Sequence, residues 1–289
     1  MLARNVPKIP IFTFVTDQRQ YREMRESFAE AGFTQKRVTF KELRSRGRPG
    51  EPEPYSTASG LIADRPEPFV ILCHQDVRLD QGHGFDEFVV ILQDLERRDP
   101  SWALAGNAGG SRRLRLISCI TDPWGERTSR SLPSRVHSLD ENFIVLKTGT
   151  GVRCSPGLGG FHLFGTDLCL NALRSRRSAY VIGFHLRHLS PGRKNAAYAE
   201  ARDRFVAHWS TRCVAEYVRP TAEVLFFSRF LLLRKTLGHW KLRRIAEKHE
   251  LVGAFLGLLF APRVNLRPAL RRILARSRLV TTLSESILD

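Results

Sequence analysis

The stretch Phe69-Val70-Ile71-Leu72-Cys73-His74-Gln75-Asp76-Val77 decides how this chain is read. Five apolar residues run without interruption and three polar ones follow abruptly. A continuous apolar run of that length, bounded by polar residues, marks a strand buried on both faces, as in a parallel sheet. His74 and Asp76 stand two positions apart, so in an extended segment they point to the same side. Ligands of open α/β sheets bind beyond the carboxyl ends of the strands, and a hard divalent cation carrying substrate phosphates suits such a place. The plainer reading is a strand that ends in a polar turn. On these residues alone both readings stand.

The flanking segments supply the rest of an α/β domain. Residues 9–16 form an apolar strand that runs into Thr16-Asp17-Gln18. A helix follows over residues 19–31, with Tyr21, Met24, Phe28 and Ala31 at helical spacing and Gly32 closing it. Strand, polar turn and helix open an α/β fold. Asp17 is either the helix N-cap or a group facing a ligand at the strand end. Residues 35–43 read as a second strand and residues 56–64 as a short helix capped by Ser56. Phe85–Arg98 is an amphipathic helix, with Phe85, Phe88, Val89, Leu92 and Leu95 on one stripe. After a short apolar strand at residues 102–105 comes Gly106-Asn107-Ala108-Gly109-Gly110, a cluster that lets the backbone approach a neighbour or a ligand closely. It is not a dinucleotide fingerprint, because GxGxxG is absent. Asp140-Glu141 precede a strand at Phe143–Lys147, where paired acids serve a site or solvate a turn. A glycine-rich aromatic loop at residues 157–165 opens a helix with Thr166 and Asp167 at its start, the place of a cap. A strand at residues 180–185 leads to His188, and a helix spans residues 196–209.

The charge is the unusual part of the composition. Of 289 residues 42% are hydrophobic and 26% charged, both ordinary for a globular protein, but the formal net charge is +17. An excess of that size points to a polyanionic partner: nucleic acid, an anionic membrane surface or phosphorylated substrates. No RNP-like or helix-turn-helix pattern appears, so nucleic acid ranks last. Five cysteines without CxxC spacing give neither a disulfide framework nor a zinc pattern, which suits a reducing cytoplasm. The N-terminus lacks a hydrophobic signal core, and no apolar run is long enough to span a bilayer. The expected location is therefore cytoplasmic, or peripheral on the inner face of the membrane. Residues 213–289 carry fourteen Arg/Lys against six Asp/Glu. Within them Leu266, Leu270, Ile273 and Leu274 share one helical face, while Arg267, Arg271, Arg272 and Arg276 cover much of the rest. That pattern reads as a helix for a membrane surface or partner, or as a helical cap with a solvated basic face. Two units are expected: residues 1–212 as the α/β domain and residues 213–289 as a basic, amphipathic helical extension.

Taken in order, FVILCHQDV (69–77), AGNAGG (105–110), SLDE (138–141), GFHLFGTDLCLNA (160–172) and HLSPG (188–192) resemble the glycosyltransferase family two superfamily, with its A-type (GT-A) fold. More narrowly they resemble the branch that includes the StrF-type proteins of streptomycin biosynthesis clusters. The resemblance covers residues 9–210 and implies a central, mostly parallel sheet flanked by helices. It implies an inverting transferase that moves a sugar from a nucleotide-diphospho-sugar to a hydroxyl acceptor, which could be lipid-linked or a cell-surface or secondary-metabolite glycan. The DxD element of such enzymes falls on His74-Gln75-Asp76. Asp76 matches the metal ligand, and His74 replaces the first carboxylate, which in relatives helps hold the nucleotide. The catalytic base falls on Asp167, and the late histidine that completes the metal site falls on His188. Asp17, next to Thr16, sits where relatives contact the nucleotide, and Asp140 lies where the chain crosses the donor sugar. His162 is placed on the acceptor side or in a structural role. The implied cofactor is a divalent cation, Mn2+ or Mg2+, with imidazole ligation favouring manganese. The rival expectation is a non-catalytic binding or scaffold protein of the same fold, recruited through its basic tail.

Overall fold

Phe69–Cys73 is the third strand of the larger sheet, and its residues alternate between two hydrophobic cores. Ile71 and Cys73 pack on one side with Tyr21, Met24, Phe28, Phe88 and Leu92. Val70 and Leu72 pack on the other with Tyr55, Ala58, Phe164 and Leu168. A strand with two apolar faces is stable only when both are covered, so its sequence already requires three layers. The structure is a computed structural model that describes residues 8–44, 51–63, 65–79, 83–192 and 194–260.

In chain order the elements are Ile9–Val15 (β1), Gln18–Glu30 (α1), Val38–Arg44 (β2), Pro54–Leu61 (α2), Phe69–Cys73 (β3), Val77–Arg78 (β4), Phe85–Arg98 (α3), Trp102–Gly106 (β5), Ala108–Gly110 (β6), Leu116–Asp122 (β7), Gly125–Thr128 (β8) and Ser134–Val136 (β9). They continue with Ser138–Leu139 (β10), Phe143–Lys147 (β11), Phe164–Arg174 (α4), Ser178–Val181 (β12), Leu186–His188 (β13), Ala196–Ser210 (α5), Glu216–Val218 (β14), Leu225–Phe227 (β15), Leu231–Leu237 (α6), Trp240–Lys248 (α7) and Glu250–Leu259 (α8). Helices α1 and α3 cover one face of the larger sheet, and α2 and α4 the other.

The larger sheet has the order β2-β1-β3-β11-β5-β12-β9. It is mixed, which corrects the expectation of a mostly parallel one. β1 pairs parallel with β2 and β3, and β5 with β12, whereas β11 runs antiparallel between β3 and β5, and β9 closes the edge antiparallel. The sequence of β11, apolar from Phe143 to Leu146, carries no sign of its direction. The inversion matters for the site, because an antiparallel strand begins where its parallel neighbours end. The residues just before β11, Asp140 to Asn142, are thereby delivered to the carboxyl end of β3, where His74 N–H donates to the Asn142 carbonyl at 2.9 Å. A second sheet, β10-β6-β7-β13-β4 with β8 on β7, stands at the same end and joins the chain after Asp76 to the chain around His188.

Local corrections have local causes. Thr34 accepts from the amides of Arg37 and Val38, so a turn occupies the first residues of the expected second strand. Glu53 rather than Ser56 caps α2, with its carboxylate accepting from the Ser56 amide, because Pro54 at the first helical position moves the start upstream. The expected strand at 180–185 is strand only at residues 180–181, the end of β12, and β13 begins beyond it. Packing continues across the expected boundary at 212. Cys213, Val218, Leu225 and Phe227 share a core with Leu170 and Leu173 of α4 and with Phe205 and Trp209 of α5. The segment beyond 212 therefore starts as a β-hairpin integral to the domain, and helices follow only from residue 231. The expected helix around residues 266–276 lies outside the described residues.

Candidate metal centre

Three of the residues singled out from sequence converge. The ligand atoms of His74, Asp76 and His188 all lie within 4.8 Å of one another. Asp76 stands between the histidines: one oxygen is 3.8 Å from His74 Nδ1 and the other 3.4 Å from His188 Nε2. The Asp76 and His188 side chains are 13% and 14% exposed and His74 42%, so the first two form the wall and His74 the mouth. The backbone sets this geometry. β4 and β13 pair antiparallel with Val77 opposite His188, and Leu189 N–H donates to the Asp76 carbonyl at 3.0 Å. His188 thus reaches Asp76 across a ladder between residues more than a hundred positions apart.

The charges follow from the enclosure. Burial alone would raise the Asp76 pKa, but the hydrogen bond and charge of His188, with His74, pull it well below the usual carboxylate range. His188 is pushed the other way: burial lowers it, and the bond and charge of Asp76 outweigh burial and raise it above the ordinary imidazole value. Burial lowers the His74 pKa despite the attraction of Asp76. At neutral pH the site is therefore a carboxylate, a readily protonated imidazole and a neutral one.

The chain is 36% identical over 186 residues to a protein of Fuscovulum blasticum named ATP synthase subunits region ORF 6, across 62% of this chain and 74% of that protein. The chain belongs to that protein's family. No family model matches it. Among solved structures, A197 from STIV aligns with 63% of this chain and 85% of its own at 10% identity, with a TM-score of 0.38. The ORF 6 family name specifies no chemistry, so the functional argument for this member stands on its own side chains.

Two imidazoles and a carboxylate are a donor set for a first-row divalent ion. Bonds of about 2.0–2.2 Å place neighbouring ligand atoms about 3–4 Å apart, which the Asp76 distances already meet. The set fits a divalent cation, and its nitrogen content suits manganese or zinc better than magnesium. Among the described residues of this ORF 6 family member it is the one such group of three or more.

The other sequence candidates have varied placements. Asp17 caps α1, one oxygen accepting from the amides of Arg19 and Gln20. Asp140 lies close enough to shift both histidines electrostatically. One of its oxygens accepts from the backbone and side chain of Asn142, the other from the Thr221 hydroxyl. His162 stacks edge-on against Tyr198 with ring centroids 5.4 Å apart, while its carbonyl accepts from Tyr55. Asp167 does not sit as a base should. It is fully buried in the first turn of α4, and its oxygens accept from Ser155 N–H at 2.6 Å, Asn171 at 3.1 Å and the Trp209 indole at 2.9 Å. With both oxygens engaged inside the core, this carboxylate ties α4 to the Ser155 loop and to α5.

Gln75 is the residue that sequence reasoning passed over. Its side-chain oxygen accepts from the amides of Thr16 and Asp17 at 2.8 and 3.0 Å, and its nitrogen donates to the Thr16 hydroxyl and to Gln20. It ties the end of β1 to the end of β3. The available signal was an amide between two ligand candidates in the polar turn that follows β3.

Proposed function

We propose that the chain is a metal-dependent, inverting glycosyltransferase that uses a nucleotide-diphospho-sugar donor. The observation that carries the reading is the convergence of His74, Asp76 and His188 at the carboxyl end of β3, where the motif order resembles the metal edge of such enzymes. A divalent ion held there would offset the charge on the donor diphosphate. The turn at Thr16 and Asp17 would border the nucleotide, and Asp140, fixed by Asn142 and Thr221, would border the sugar. Asp167 is withdrawn from proton transfer. Glu141, next to Asp140 in the chain, is raised by burial and by Asp140 to about 8, so at neutral pH it is largely protonated and would act as a base only through its ionised fraction. His162 remains on the acceptor side. The acceptor is a hydroxyl compound, and a lipid-linked one suits a protein of such basic charge.

A screen of nucleotide sugars with manganese tests the reading. Release of nucleoside diphosphate from one donor, lost in Asp76→Asn, is expected. Failure to hydrolyse any donor or to bind any nucleoside diphosphate would sink it. A second reading, a donor-binding scaffold without turnover, is favoured by His74 in place of a carboxylate; it predicts tight donor binding and no release in the same screen.

A further inference from the structure

Helix α8 is apolar on two sides and covered on one. Its inner side, Gly253, Leu256 and Gly257, is buried. The two glycines permit close seating: a Cβ on Gly253 would run into the Ala246 carbonyl, and one on Gly257 into the Arg112 carbonyl. Leu256 joins Tyr217, Phe226 and Ala246 in a common core. The outer side carries Leu251, Phe255 and Leu258 at i, i+4 and i+7, exposed to 86%, 64% and 40%. A surface helix ordinarily turns polar residues to that side. The anomaly extends beyond α8. Of the fourteen large apolar side chains exposed among the described residues, nine fall within residues 230–260, Leu231, Leu232 and Trp240 among them.

We propose that this face is a docking surface for an anionic lipid bilayer. Charge selects the occupant. Residues 229–260 hold seven Arg/Lys against two acids, and both acids are engaged, Glu247 with Arg219 and Glu250 with Arg115. Arg244 and Lys248 are exposed on α7 one helical turn apart. The sequence after residue 260 adds six arginines against two acids. Lysine is depleted at protein–protein interfaces, whereas exposed Leu, Phe and Trp interleaved with Lys and Arg mark helices that lie in a bilayer interface. α8 has ten residues and no helix among the described residues is long and apolar enough to cross a membrane, so the contact lies along the surface. This inference does not depend on the glycosyl-transfer reading, and either can fail without the other.

The test is co-sedimentation of the full chain with vesicles of phosphatidylcholine alone and of phosphatidylcholine mixed with phosphatidylglycerol. Binding is expected to the mixed vesicles and to fall with added salt. The triple variant Leu251→Ser, Phe255→Ser and Leu258→Ser should weaken it by about tenfold or more, and Arg244→Gln with Lys248→Gln by a similar factor. All five positions are exposed, so melting temperatures should hold. Wild-type binding by the triple variant would overturn the proposal and pass the contact to residues 261–289. It would equally be overturned if no vesicle binding occurred, and all the more if the triple variant instead dissolved a self-associated species in sedimentation velocity, which would identify the face as a contact between copies.

Discussion

Replacing Asp76 by Asn should abolish a manganese-induced rise in melting temperature that itself depends on pH in a defined direction. An ion that binds only the folded state, at about a hundred times its dissociation constant, stabilises by about 2.7 kcal/mol. For a chain of this size that is a rise of about 5 °C. The pH dependence comes from the two histidines. His74 is depressed by burial, so it is neutral at pH 7 and releases no proton to the ion. His188 is raised by Asp76, so protons compete for it. Affinity should therefore fall by about tenfold per pH unit below the raised His188 value, a slope of one proton and not two. Without metal the signs differ. The raised His188 contributes stability fully below its unfolded pKa of about 6.5 and loses it as pH rises through the folded value. The depressed Asp76 contributes above about 3.8 and loses it as pH falls through its folded value. The pair thus stabilises the metal-free protein most between about pH 4 and 6.5, and manganese takes over above that window. Differential scanning fluorimetry from pH 5.5 to 8, with and without manganese, measures this. A shift of equal size in Asp76→Asn, or one that grows toward acid, would refute the site as a metal centre.

Other outcomes follow from single contacts. Gln75→Ala frees two backbone amides at an exposed turn and should cost about 1 kcal/mol in urea titration; no loss would mean that the tie is incidental. Asp167→Ala leaves the Ser155 amide and the Trp209 indole unsatisfied in the core and should cost about 3 kcal/mol or more, whereas a pure base would lose turnover at unchanged stability. Glu141 has a pKa raised to about 8, so stability should fall as pH rises from its unfolded value of about 4.3 toward 8. Glu141→Gln should remove that slope and gain about 1 kcal/mol at pH 8 after allowance for partial solvent contact, with little change at pH 4.5; an unchanged slope would show that the carboxyl is not held neutral. Gly110→Ala would drive a Cβ into the Arg219 carbonyl and should prevent stable folding, as read by circular dichroism.

The sequence was most informative where one physical requirement dominated. The apolar run of β3 demanded two covered faces, and α3 showed so complete an amphipathic stripe that its limits, Phe85–Arg98, match the expectation. The glycines of residues 106–110 implied close backbone approach, and the neighbours are the carbonyls of Phe143, Ser138 and Arg219. Strand direction was illegible, because hydrogen-bond pattern and not composition distinguishes β11 from its parallel neighbours. The metal candidates were legible as residue types at a strand end, while the His188–Asp76 distance depends on the register of a two-residue strand. The burial of Asp167 was illegible, because a helix-start carboxylate looks the same in sequence whether it faces solvent or an indole. The hairpin of β14 and β15 was obscured by the basic residues around it, which drew attention to charge and away from Leu225, Phe226 and Phe227.

The Thr221 bond to Asp140 and the Arg219 carbonyl seated over Gly110 and Ser138 also fix an order of assembly during synthesis. The ribosome releases His74 and Asp76 early, yet no three-ligand site exists until His188 has emerged and β13 has paired with β4. The floor around Asp140 forms later still, once Thr221 and the hairpin are out. Before β13 and β4 pair, the three side chains are not gathered, so the cluster is complete only when the fold around it has closed.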